Sequence, residues 1–194
     1  MAFDNKEIAI RVRNLLTERS PAAVNITQTH IIALIPTALE LWSRASFADP
    51  DKKNILTQTV TVALAGGAAD LTNYINGTTS KILADDVKKA TIYTTIGGVR
   101  VPFTWVGSQA QLNTPRLLGA SNPAIFFEDK DNFLRTRNTD GSLTSLGSAT
   151  ISFGVPVYPT SASGIPVQLQ QDFILALANL AAKELATAGG ANAG

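Results

Sequence analysis

The chain has 194 residues, 45% hydrophobic and only 16% charged, and its 16 Lys and Arg nearly balance 15 Asp and Glu for a net charge of +1. That length is enough for a well-buried core, the composition excludes a disordered chain, and the near-neutral balance lacks the basic signature of a free-standing nucleic-acid binder. With no Cys and one His, a disulfide scaffold, a thiolate zinc site and a Cys nucleophile are excluded, and Ser-His-Asp chemistry would have to use His30.

Asp4 and Glu7 form a D-x-x-E capping box, and Ile8, Val12, Leu15 and Leu16 follow at helical spacing, so a first helix is expected over about Asn5 to Glu18. Ser20-Pro21 ends it. Thr27 is a good N-cap for a second helix with the stripe Ile31, Ile35, Ala38, Leu39 and Trp42. Pro36 inside it removes a backbone hydrogen bond, so either a kink or two short helices is expected. Asp49-Pro50 pairs a cap with Pro at the first helical position and starts a short helix to about Leu56.

The period then changes. Thr57 to Ala65 sets Val60, Val62 and Leu64 against Thr59, Thr61 and Ala63, the alternation of a half-buried strand. Gly66-Gly67 and Asn76-Gly77 are turn signals. Ala90–Ile96 and Val99–Val106 flank Gly97-Gly98 and read as a hairpin, with Pro102 arguing for an edge or a bulge. Ser108 to Leu112 reads as one helical turn, and Asn113 to Pro123 as a loop. Ala124–Asp129 and Phe133–Arg137 make a second hairpin around Lys130-Asp131-Asn132. Asn138 to Ser142 turns, Leu143 to Tyr158 is extended, and Thr160 to Gly164 is a flexible connector.

Pro166 opens a closing helix to about Ala186 with Leu169, Phe173, Ala176, Leu177 and Leu180 on one face. The packing face Leu169, Phe173, Leu177 and Leu180 is expected to bury against the helical third. Ala188, Gly189, Gly190, Ala191, Asn192, Ala193 and Gly194 form a tail with nothing to bury. The expected fold class is α+β: N-terminal helices and a C-terminal helix packed together, with a strand-rich central region of hairpins. It is read as a single domain over 1–187, helical over 4–56, β-rich over 57–158 and helical over 166–187, followed by a flexible tail, 188–194. Charge near Met1 argues against a signal peptide, and no apolar run approaches the ~18 residues of a membrane span, so no membrane partner is expected.

No residues form a catalytic, cofactor or metal frame, and a non-enzymatic role is expected. His30 sits in the first turn of an ordinary helix. Glu128-Asp129-Lys130-Asp131-Asn132 lacks the Gly and terminal Glu of a calcium loop, and a hairpin tip accounts for it. Asp85-Asp86 reads as helix-start chemistry. Trp42, Trp105, Phe126 and Phe127 read as core rather than stacking platforms. Arg135 and Arg137 lie two apart on a strand and share a face. They are candidates for contact with DNA phosphates or a neighbour's carboxylates, with solvated surface the favoured reading.

Several segments together resemble the small neck proteins of tailed bacteriophages, the adaptors between portal and tail. They are Ile32-Ala33-Leu34-Ile35-Pro36-Thr37-Ala38-Leu39, Asp49-Pro50-Asp51-Lys52-Lys53, Thr57 to Leu64, Ile82-Leu83-Ala84-Asp85-Asp86-Val87, Phe103-Thr104-Trp105-Val106 with Pro115-Arg116 in the following loop, and Ile165-Pro166 with the closing helix. The likeness runs from about residue 27 to 186. It implies a virion protein made in the host cytoplasm. About twelve copies would form a head-to-tail ring below the portal, around a DNA-conducting channel. The partners implied are the portal protein, the tail and neck proteins, and DNA in non-specific passing contact. The tail Ala188 to Gly194 would dock on the portal. The large strand-rich middle departs from the simplest helical adaptors and leaves a tail terminator or tail-completion protein open. A monomeric carbohydrate- or protein-binding module using Trp105 or Tyr93 as a platform is the alternative of a different class.

Overall fold

The structure, a computed structural model, describes residues 3–19, 26–96, 98–112, 123–137 and 150–191. Among them are seven α-helices and ten strands in an α+β fold. Where the sequence reads as one domain over 1–187, the chain packs as two compact units: Met1–Leu56, Thr78–Ser80 and Tyr158–Gly194 in the first, Thr57–Gly77 and Lys81–Val157 in the second.

The first unit is built on four helices. α1 (Asn5–Arg19) starts where the Glu7 amide donates to Asp4 Oδ1 at 2.8 Å. α2 (Gln28–Ala48) is capped by Thr27, whose hydroxyl accepts from the His30 amide at 3.2 Å. Pro36 neither ends α2 nor divides it: α2 is one helix of 21 residues. Pro36 lies on the exposed side, where solvent can meet the carbonyl left without a helical donor. α3 (Pro50–Leu56) follows Asp49, whose carboxylate accepts the Asp51 amide at 3.0 Å. α7 (Gln170–Ala191) comes from the far end of the chain and packs on α1 and α2.

Their buried stripes form one core, with Ile8 and Val12 of α1, Ile31 and Trp42 of α2, and Phe173 and Leu177 of α7 at its centre. α2 is also the one described helix long and apolar enough to cross a membrane, with a mean hydropathy of 1.2. Its apolar residues Ile31, Leu34, Ile35, Leu39 and Trp42 are spent on this core. The expected flexible connector before α7 is ordered: Ala162–Gly164 forms a short 3-10 turn and Ala162 is buried. The Thr160 amide donates to the Thr79 carbonyl at 2.9 Å. Only glycine fits at Gly164, because a Cβ there would lie 2.0 Å from the same carbonyl oxygen.

The second unit holds two four-stranded sheets. In the first, β1 (Thr57–Ala63), β9 (Thr150–Pro156), β4 (Tyr93–Ile96) and β5 (Val99–Pro102) lie in that order. β1 and β9 are antiparallel with Val60 opposite Phe153. In the second the order is β2 (Ala68–Asp70), β8 (Phe133–Arg137), β7 (Ala124–Glu128) and β6 (Thr104–Trp105). Burial alternates along β9, where Ile151, Phe153 and Val155 are fully buried. Both sheets feed one core with Val60, Ile125, Phe127 and Leu134.

The two hairpins close where the sequence puts them. Gly98 takes a φ of +82° and Asn132 a φ of +59°, conformations that glycine and asparagine tolerate best. The run Val99–Val106, however, is not one strand. β5 stops at Pro102 on the sheet's edge, Phe103 donates to the Ile92 carbonyl at 2.8 Å, and Thr104–Trp105 joins the other sheet parallel to β7. A proline has no N–H to continue a ladder, and the chain leaves the sheet at that residue. The short helices α4 (Thr72–Ile75), α5 (Ala84–Lys89) and α6 (Gln109–Leu112) and the paired strands β3 (Ser80–Lys81) and β10 (Tyr158–Pro159) complete the fold.

Candidate functional site

The closing-helix face is placed as expected in part. Leu169, Phe173 and Leu177 are buried in the helical core, while Leu180 is half-buried against it. Ile174, Ala178 and Ala181 are buried as well, so the apolar face is wider than the sequence stripe. α7 begins at Gln170 rather than Pro166, with a 3-10 turn over Val167–Leu169 before it. It continues to Ala191, so Ala188, Gly189, Gly190 and Ala191, expected in a flexible tail, are helical. Asn192, Ala193 and Gly194 lie outside the described residues, as do Ser20-Pro21, Gly97 and Pro115-Arg116.

A polar node fixes three of these helices together. The Trp42 indole N–H donates to Asp172 Oδ2 at 2.7 Å. Lys52 Nζ donates to both Asp172 oxygens at 2.9 Å. Burial opposes ionisation of Asp172, but the Lys52 and Trp42 hydrogen bonds and the Lys52 charge outweigh it and hold the carboxyl below its ordinary value. Trp42 also meets the Phe173 ring edge-on at 5.6 Å between centroids. The partners lie 120 and 130 residues apart in sequence, so no local motif announces them. His30 reaches Glu184 at 3.2 Å on the exposed side of the same helices.

Arg135 and Arg137 are both half-buried and committed within the chain, which corrects the reading of a solvated face. Arg135 Nε donates to Glu128 Oε2 at 2.7 Å and its guanidinium lies 5.0 Å from the Phe133 ring centroid. Arg137 donates to the Leu112 carbonyl at 3.1 Å. The acidic segment after β7 is a hairpin tip. Among the described residues no group of three His, Cys, Asp or Glu side chains is arranged to hold a metal.

One concavity of the second unit brings chemistry together. It is a groove of about 370 Å³ lined by Lys88, Trp105, Val106, Gly107, Phe126, Phe127 and Asp129. β6 supplies Trp105, β7 supplies the two phenylalanines, and α5 supplies Lys88. The sequence reading places both Trp105 and Phe126 in the core, but each is only half-buried. Trp105 lies on β6, a two-residue strand at a sheet edge, and Phe126 alternates away from buried Ile125 and Phe127 on β7. Another open concavity, about 400 Å³ on the first unit, is lined by Ile10, Arg13, Asn14, Thr17, Glu18 and Gln28.

A scan of protein families matches none to this chain, and no curated protein matches it.

Proposed function

We propose that the protein is a structural component of a tailed-bacteriophage neck, one copy of a ring that joins portal to tail around the DNA channel. The sequence likeness over about residues 27–186 motivates the reading, and one structural observation carries it. β1 is a seven-residue edge strand with no charge, no proline and no bulge, and among the described residues no strand pairs with its outer side. Such an edge is a template for another chain, and monomers ordinarily blunt it with Lys or Pro. The opposite edge of this sheet, β5, is blunted by Pro102.

The backbone indicates which β1 residues face outward. The Tyr74 hydroxyl reaches the Thr61 carbonyl at 3.4 Å, so that carbonyl points away from β9. In an antiparallel ladder alternate residues share this direction, which adds Thr59. Pairing of β1 with itself would give a two-fold dimer and stop. A ring requires a different surface of the neighbour, the heterologous contact that closes when its rotation divides the circle. The near-neutral charge suits a channel through which DNA slides, because strong phosphate contacts would resist passage.

Electron cryomicroscopy of the particle that the protein co-purifies with tests the reading. A ring on the particle axis between capsid and tail is the expected result. A single copy on a non-viral partner would overturn it. Thr59→Pro removes one outward N–H and is expected to abolish ring formation while the isolated chain keeps its circular dichroism spectrum. Truncation after Thr187 removes the last turn of α7 and the residues beyond it, and is expected to reduce incorporation into particles. Unchanged incorporation would remove the docking role of Ala188 to Gly194.

A further inference from the structure

The groove beside β6 and β7 has the volume of a small-molecule site, for which about 300–1,000 Å³ is typical. Its wall is aromatic. Half-buried Trp105 pairs with Ile125 and so shares its face with buried Phe127, while Phe126 points to the other face of β7. The Trp105 indole N–H is donated to the Ala90 carbonyl at 2.9 Å, which fixes the ring and takes away its one donor. Gly107 at the lip leaves the entrance without a side chain. Its amide is already bonded to Gln111 Oε1 at 2.6 Å.

The polar groups stand at one side. Lys88 Nζ lies 5.5 Å from the Phe127 ring centroid and 2.6 Å from Asp129 Oδ1. The Asp129 side chain is 67% exposed, against 38% for Lys88. A carboxylate accepts about four hydrogen bonds and an ammonium donates three, so both keep capacity for a ligand after pairing with each other.

We propose that this groove binds a neutral pyranose sugar, stacked by its apolar C–H face on Trp105, with hydroxyls donating to Asp129 and accepting from Lys88. Three comparisons select this class. Lys88 stands against two carboxylates, Asp129 at 2.6 Å and Asp85 at 3.9 Å, so the groove does not draw an anion, and Lys88 itself takes the place of a cation over the Phe127 ring at 5.5 Å. A wholly apolar ligand would cover the pair without bonding to it, which costs affinity. A proline-rich peptide fits aromatic grooves, but here the one aromatic N–H that could meet a peptide carbonyl is taken by Ala90. A hydroxyl that donates and accepts at once matches an adjacent carboxylate and ammonium.

The test is titration of the 15N-labelled full chain with four methyl glycosides (glucoside, galactoside, mannoside and N-acetylglucosaminide), followed by two-dimensional amide NMR. At least one glycoside is expected to give saturable, millimolar shifts centred on the Trp105 indole and the Gly107 amide. Asp129→Asn, on an exposed side chain, is expected to weaken that binding at least tenfold with the spectrum otherwise retained. Trp105→Ala is expected to abolish it, and Asp129→Asn carries the test if that variant unfolds. Absence of saturation with all four glycosides, saturation indifferent to Asp129→Asn, or a response to a proline-rich decapeptide in place of the sugars would each overturn the proposal.

Discussion

Phe173→Ala tests the joint that holds the helical unit together. Phe173 is fully buried at the point where α7 meets α2, and its ring packs edge-on against Trp42 at 5.6 Å. Truncating a fully buried phenylalanine costs about 3–5 kcal/mol, since the lost transfer energy is joined by the cavity left behind. The edge-on pair is itself worth about 0.5–1.5 kcal/mol beyond its area, which places this site in the upper part of that range. A loss of about 4 kcal/mol changes the unfolding equilibrium by nearly three orders of magnitude. With a urea slope of about 2 kcal/mol/M, the midpoint falls by roughly 2 M. The assay is urea unfolding followed by Trp42 fluorescence in a Trp105→Phe background, so that the signal comes from this unit. A loss below about 1 kcal/mol would refute the reasoning, because no well-packed core yields that little on losing a whole ring.

Asp172→Ala removes acceptors for Trp42 and Lys52 and is expected to cost about 1–3 kcal/mol in the same assay; a neutral result would mean the node adds nothing beyond packing. Because the folded carboxyl is held below its unfolded value of 3.8, its contribution is complete above that value and fades as pH falls through the lower folded one. The wild type should therefore lose stability more steeply than Asp172→Ala below about pH 4, and parallel acid titrations would contradict this. Gly164→Ala drives a Cβ against the Thr79 carbonyl and is expected to cost about 1–3 kcal/mol, seen as a lower Tm. The Thr136 hydroxyl is buried with no hydrogen-bond partner among the described residues, so Thr136→Val is expected to stabilise by about 1 kcal/mol, and a destabilised variant would reveal a partner for it.

Much of the local structure is legible in the sequence because its causes are local. The Asp4 and Asp49 caps, the alternation that buries Val60 and Leu64, and the turn residues Gly98 and Asn132 each act within a few positions. Pro36 left two outcomes open, and the undivided helix is the one found, with the proline on the exposed face where it is tolerated. Trp105 packs against the sheet core but stays half-buried, because its burial depends on which sheet Thr104–Trp105 joins, decided by the break at Pro102 and the pairing with Ala124–Ile125. The node at Asp172 and the partners of Arg135 and Arg137 are tertiary. No spacing rule links Trp42 to a residue 130 positions later. The division into two units is hidden too, because the first unit is assembled from three separate stretches of chain.

That discontinuity has a consequence for the order in which the protein is made. On the ribosome α1 and α2 emerge well before α7, carrying the apolar faces of Ile31, Leu34 and Trp42. The residues that cover those faces are on α7, and Asp172 lies 130 residues beyond Trp42. At about 5–20 residues per second the wait is roughly 6–26 s. Throughout it the nascent chain presents an uncovered greasy helix pair, while every residue of the second unit, Thr57 to Val157, is synthesised in between. A helix pair made early is thus finished late, and a translating cell must shelter it until α7 arrives.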